Sequence, residues 1–154
     1  MAERLLENVA SMNQVSTAEV SESIPSSAPQ LDSVRILVVE DDERCREALT
    51  MALEGHGAIV VAVDSVQAAL ERFEREAPAL LISDIEMPER DGFDLIREVR
   101  ARDASYRHTP AIAVTGLAIN GGRDVLRSAG FDDLVAKPID LAFLVERIRA
   151  LVAC

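Results

Sequence analysis

Five short apolar runs, each followed by a stretch of helical periodicity, set the tightest limit on how this chain folds. The runs are Val34 to Glu40 (VRILVVE), Ala58 to Val63 (AIVVAV), Ala79 to Asp84 (ALLISD), Ala111 to Thr115 (AIAVT) and Asp132 to Ala136 (DDLVA). Each has strand length and almost unbroken apolar character, the pattern of a strand buried on both faces of a parallel sheet. Helical segments are predicted at about 42–54, 65–76, 92–102 and 121–129, with a last one from Asp140 to about Val152. Capping residues agree in places: Asp64-Ser65 suits the start of the second helix and Asp140 that of the fifth, while Gly55 and Gly130 suit left-handed helix ends. Repeated strand-helix units imply right-handed crossovers, and therefore an α/β fold: a three-layer, doubly wound (βα)5 arrangement with a five-stranded parallel sheet.

The chain has 154 residues, enough for one domain with a substantial core. Aromatics make up 3% against 49% hydrophobic residues, so Val, Leu, Ile and Ala must build that core. A net charge of -11 argues against nucleic acid, which needs clustered Lys and Arg, and favours a cation or a basic partner. Cys45 and Cys154 lack metal-type spacing and read as free thiols in a reducing cytoplasm. No run approaches the roughly 20 apolar residues of a membrane span, and no signal peptide is visible. Residues 1–32 read as a flexible N-terminal extension and linker, with Ser21, Ser23, Pro25, Ser26, Ser27 and Pro29 close together. Leu5, Leu6, Val9 and Met12 fall at helical spacing there, either as a short partner-docking helix or, as favoured, within a mobile tail. Residues 33–154 are the folded domain.

In open parallel sheets the ligand site lies beyond the carboxyl ends of the strands. Those ends carry Glu40, Asp41 and Asp42 after the first strand, Asp84 after the third, Thr115 after the fourth and Lys137 after the fifth. Lys137 is the single lysine among sixteen cationic residues, the rest being arginine. Lysine delivers a point charge on a flexible stem, which suits a phosphate or a carboxylate cluster better than a planar fork does. Carboxylates this close repel unless a cation neutralises them, and Mg²⁺ is the natural hard cation for one or two carboxylates with water. A phosphoryl group held by Thr115 and Lys137 could then meet a nucleophilic carboxylate, giving an aspartyl phosphate. Plainer roles exist for each residue. Asp41 or Asp42 could cap the first helix, Thr115 could be an ordinary strand residue, and Asp84 with Met87-Pro88 and Asp91-Gly92 could be turn chemistry.

These residues resemble the receiver domain of two-component response regulators over about Val34 to Ala150. The resemblance rests on ILVVEDD, on SDIEMPERDGF around Asp84, on AVTG and on AKPID, in this order within the strand-helix repeat. It implies a CheY-like, flavodoxin-like strand order 2-1-3-4-5. Asp84 would be the phosphoacceptor. Glu40 and Asp41, with Asp84 and the Glu86 backbone carbonyl, would hold Mg²⁺, leaving Asp42 as the helix cap. Thr115 and Lys137 would contact the phosphoryl oxygens, and the Lys137-Pro138 bond would form a cis turn.

The implied function is phosphorelay signalling: a cytoplasmic phosphoprotein, not an enzyme acting on separate substrates, that takes its phosphoryl group from a histidine kinase or a histidine phosphotransfer protein. Phosphorylation would move Thr115 and the following loop, changing the face formed by helix four, strand five and helix five toward a downstream protein target. The expected partners include no nucleic acid or membrane, and the oligomeric state, monomer or weak dimer, is left open by the sequence. A departure is Leu134, where many receivers carry an aromatic coupled to the threonine. Gly116 leaves room beside the phosphoryl group, and Gly121-Gly122 loosens the start of helix four, an alternative switch element. His56 and His108 look like loop residues. A stand-alone regulator is the leading form. Alternatives are the C-terminal receiver of a hybrid histidine kinase and a degenerate receiver that binds without phosphorylation. A haloacid-dehalogenase-like phosphatase would normally carry a second aspartate at the position of Glu86.

Overall fold

The computed structural model describes residues 30–102, 104–116 and 121–153. Five strands, β1 (Arg35–Val39), β2 (Ile59–Val63), β3 (Leu80–Asp84), β4 (Ala111–Thr115) and β5 (Asp133–Ala136), alternate with five helices. The helices are α1 (Glu43–Gly55), α2 (Val66–Glu76), α3 (Gly92–Ala101), α4 (Gly122–Ala129) and α5 (Leu141–Val152). The strands pair in parallel in the order β2-β1-β3-β4-β5. The three-layer, flavodoxin-like arrangement expected from the sequence is therefore the one observed.

Because successive strand side chains point to opposite faces, the sheet splits the core in two. Leu37, Val39 and Leu81 meet Leu70, Phe73, Leu95, Val99 and Leu126 of α2, α3 and α4. Ile36, Val38, Ile82 and Val114 meet Leu49 and Leu53 of α1 and Leu144, Val145 and Ile148 of α5 on the other side. Burying each such side chain contributes about 1.5–3 kcal/mol, so these two clusters dominate the stability. The central strands are buried throughout apart from Arg35 at the start of β1, but β2 is only half-buried and β5 exposes Ala136. The expectation of burial on both faces thus fails for β2 and partly for β5. Both are edge strands, and an apolar run does not reveal where in the sheet its strand will lie.

Local signals explain most boundaries. Ser65 Oγ accepts from the Ala68 amide at 3.2 Å and Asp140 Oδ1 from the Phe143 amide at 3.2 Å, opening α2 and α5. Asp91 and Asp94 exchange side-chain and backbone bonds in a capping box that opens α3. Gly130 ends α4 with φ at 123°. Gly55 does not play the same part for α1. It lies within the helix, His56 is the C-cap at φ -93°, and Gly57 takes the positive φ of 92°.

Packing begins just ahead of β1. Leu31 is fully buried and its amide donates to the His56 carbonyl at 2.9 Å, so the end of the stretch read as linker belongs to the packed body. Residues 1–29, with Leu5, Leu6, Val9 and Met12, lie outside the described residues, as does Cys154. Among the described residues no helix is long and apolar enough to cross a membrane.

Candidate functional site

A parallel sheet delivers all its strand ends to one rim, and there the chemistry-bearing residues collect. Glu40 follows β1, its amide donating to the Val63 carbonyl at 3.0 Å. Asp84 closes β3 in register with Val114, and Thr115 closes β4 in register with Ala136. The Lys137 amide donates to the Thr115 carbonyl at 2.9 Å, which holds the start of the β5–α5 connection against β4. Glu40, Asp84 and Thr115 are only 4–5% exposed. Ionisable groups so deeply placed need partners.

Lys137 provides one. Its Nζ donates to Glu40 Oε2 at 2.9 Å and to Asp84 Oδ2 at 3.1 Å. The peptide between Lys137 and Pro138 is cis. Burial alone would lower the pKa of this ammonium, but its hydrogen bonds to Glu40 and Asp84 outweigh that and raise it. Burial, reinforced by the Asp84 charge, raises the pKa of Glu40 despite its bonds to Lys137 and to the Asp42 amide. Among the described residues, a Cβ placed on Gly116 would meet nothing nearer than Lys137 Cβ at 3.8 Å, an ordinary contact with the base of that side chain.

The second Asp84 oxygen, Oδ1, accepts from the Glu86 amide at 3.1 Å, and Thr115 Oγ1 donates to Glu86 Oε1 at 3.3 Å. Thr115 therefore joins the cluster through the Glu86 side chain, a role that sequence reasoning, which singled out the Glu86 carbonyl, missed. Asp42 caps α1, its Oδ1 accepting from the Cys45 amide at 3.0 Å, and its own amide donates to Glu40 Oε1 at 3.2 Å. The first of these bonds lowers the Asp42 pKa. Arg46 also went unnoticed in the sequence. Its Nη1 donates to the Glu40 carbonyl at 3.0 Å and the Asp41 carbonyl at 3.4 Å, fixing the loop that presents both acids. Its position one turn into α1 is the signal that could have identified it.

A second charged cluster lies on β5. The Asp133 side chain is 1% exposed and its Oδ1 accepts from Arg123 Nη1 of α4 at 3.0 Å and from the Leu134 amide at 2.8 Å. Its Oδ2 accepts from Arg147 Nε of α5. Leu134, beside it, is half-buried against the α2–α4 side of the core.

The rim fits a hard divalent cation. Glu40, Asp41 and Asp84 each place one carboxylate oxygen within 4.8 Å of the others. Three carboxylates and one ammonium leave a formal charge of about -2, and oxygen donors alone are what Mg²⁺ prefers. Lys137 already acts as a cation for two of the three.

Comparison with known proteins agrees with this geometry. The family model described as response regulator receiver domain matches residues 36–149. An uncharacterized 14.6 kDa protein of Leptolyngbya boryana is 41% identical over 119 residues, covering 77% of this chain and 90% of that protein. The transcriptional regulatory protein CseB of Streptomyces coelicolor is 40% identical over 119 residues, and there the match spans 77% of this chain but 49% of the relative. The receiver domain of the sensor histidine kinase PA1611 of Pseudomonas aeruginosa, solved with a magnesium ion coordinated in its active site cleft, superposes with a TM-score of 0.72. It is 30% identical, over 79% of this chain and 99% of that one.

Proposed function

This chain belongs to the response regulator receiver domain family, and on that premise we propose that Asp84 accepts a phosphoryl group from a phospho-histidine donor. The observation that carries the proposal is Lys137 Nζ, which lies within hydrogen-bond distance of both Glu40 and Asp84. In the proposed step an Asp84 carboxylate oxygen attacks phosphorus in line. The phosphorus–nitrogen bond of the donor breaks, the imidazole leaves with the bonding electrons, and an acyl phosphate remains on Asp84. Lys137 shifts from Asp84 Oδ2 to an equatorial phosphoryl oxygen, offsetting charge there. Glu40, Asp41, Asp84 and the Glu86 carbonyl would hold Mg²⁺, which supplies Lewis-acid neutralisation of the transferring group.

The output is a population shift rather than turnover of a separate substrate, so the protein acts as a signalling phosphoacceptor and not as an enzyme in the usual sense. Thr115 would leave Glu86 for the new phosphoryl oxygen, drawing the connection between β4 and α4 with it. Leu134 supplies no aromatic to follow it. α4 is instead the movable part of the α4–β5–α5 face: Gly121 caps it at φ 85° without a side-chain hydrogen bond. The partners are a histidine kinase or phosphotransfer protein and a downstream protein, meeting in the cytoplasm. Likeness to the PA1611 receiver supports a second form, a receiver working within a larger sensor kinase.

Incubation with Mg²⁺ and acetyl phosphate followed by intact mass tests the chemistry. One phosphate adduct, absent in Asp84→Asn, is expected, whereas no adduct on the unaltered chain overturns the reading. Hydrogen exchange with and without a phosphoryl mimic tests the switch, and unchanged protection across 121–130 removes α4 from it.

A further inference from the structure

A groove of about 580 Å³ runs beside the acidic rim, between α1 and the start of α5. Cys45, Ala48 and Ala52 line it from α1, Ile139 and Leu141 from the opposite side, and it ends on Glu40 and Lys137. The depression exists because α1 carries small residues at 48 and 52, where larger apolar side chains would close the gap. Its size is that of a site taking a few apolar side chains.

We propose that this groove is filled by the chain's own N-terminal segment, through Leu5, Leu6, Val9 and Met12. The described chain begins at the foot of the same helix: the Leu31 amide donates to the carbonyl of His56, the C-cap of α1. His56 lies four residues, about 6 Å of helix rise, below Ala52. The apolar residues 5, 6, 9 and 12 share one stripe at helical spacing, while Glu3 and Glu7 fall on the opposite side. Reach is ample. The seventeen residues from 13 to 29 extend to about 56 Å at roughly 3.3 Å each, against about 20 Å for the whole of α1. Tethering raises the local concentration of the segment to roughly millimolar, so a weak contact suffices, and a helix of about ten residues, marginal in water, gains by docking.

Cys45, exposed at the groove, reports occupancy in the 154-residue chain. In a Cys154→Ser background it is the sole thiol, and its alkylation by iodoacetamide is compared with that of the Leu5→Ser/Leu6→Ser/Val9→Ser variant, which adds no charge. The variant's Cys45 is expected to react about fivefold faster or more, as for a docked fraction set by millimolar local concentration. A Glu3→Gln/Glu7→Gln control should leave the rate unchanged. Equal rates in the triple variant and its parent overturn the proposal. So does an equal acceleration in the control, or a parental rate that falls with protein concentration, which would seat a second copy in the groove. The readout involves no phosphorylation and stands apart from the fate of Asp84.

Discussion

The Lys137 ammonium lies 3.1 Å from Asp84 Oδ2, linking the end of β3 to the residue after β5 across the intervening β4. Only a long, thin side chain with its charge at the tip reaches both this oxygen and Glu40 Oε2. A guanidinium keeps the charge but spreads it over a rigid plane. Lys137→Arg should therefore accept phosphate from acetyl phosphate at least about tenfold more slowly, a loss of about 1.4 kcal/mol of transition-state stabilisation. Intact mass against time measures it, and an unchanged rate would show that point-charge geometry is irrelevant.

Asp41 is exposed whereas Glu40 and Asp84 are buried, so it can be neutralised with little effect on the metal-free fold. A cation bound at tenfold its Kd stabilises the folded state by about 1.4 kcal/mol. Thermal melts of the unaltered protein should rise with Mg²⁺ and be flat in Asp41→Asn, with equal melting points in EDTA. A rise of equal size in the variant would place the cation elsewhere.

Burial raises the Glu40 pKa above its usual value of 4.5, so between 4.5 and the raised value the folded state binds more protons than the unfolded chain. Stability from this group is thus present at low pH and lost as pH rises through the folded pKa. In EDTA, the urea midpoint of the unaltered protein should fall across that window, relative to Glu40→Gln, as pH increases. Saturating Mg²⁺, which favours the ionised carboxylate, should reduce the difference. Parallel pH profiles with and without the carboxylate would rule this out.

The strand-helix repeat and the rim residues were legible because each depends on local pattern plus one topological rule, whereas local pattern left Asp41 and Asp42 equal as the α1 cap and only the resemblance to receiver domains pointed to Asp42, the cap observed. What escaped the sequence depends on separations that no pattern encodes. Glu86 reaches Thr115 across 29 positions. Asp133, read as one residue of an apolar strand, meets Arg123 and Arg147 ten residues before and fourteen after it. Arginines spaced like that look identical to solvated ones until the helices pack. The shift of the α1 cap from Gly55 to His56 and Gly57 is smaller: two glycines flank His56, and it is the second, Gly57, that takes the positive φ.

The Asp133 cluster has a non-additive signature. With either arginine gone, the buried carboxylate keeps the other and the Leu134 amide, so single alanine substitutions should be mild. Removing both leaves an uncompensated buried charge, which costs about 3–5 kcal/mol. Urea denaturation of Arg123→Ala, Arg147→Ala and the double variant should show the double costing clearly more than the sum. Simple additivity would mean that the two contacts are independent surface pairs.

Gly92 sits at the first position of α3, where a Cβ would lie 2.5 Å from the Asp84 carbonyl oxygen and 3.0 Å from Ile85 Cα. Its amide donates to the Ile85 carbonyl at 2.9 Å, so α3 begins in direct backbone contact with the loop that aims Asp84. Both clashing atoms are backbone, and neither can swing aside as a side-chain tip would. Gly92→Ala should therefore displace the β3–α3 loop and cost about 1–3 kcal/mol. Since that loop also presents the Glu86 amide to Asp84 Oδ1, the variant should lose phosphoryl acceptance beyond what its folded fraction explains. Denaturation midpoints together with acetyl phosphate labelling per folded molecule separate the two effects. Full labelling in a destabilised Gly92→Ala protein would limit this glycine to packing alone.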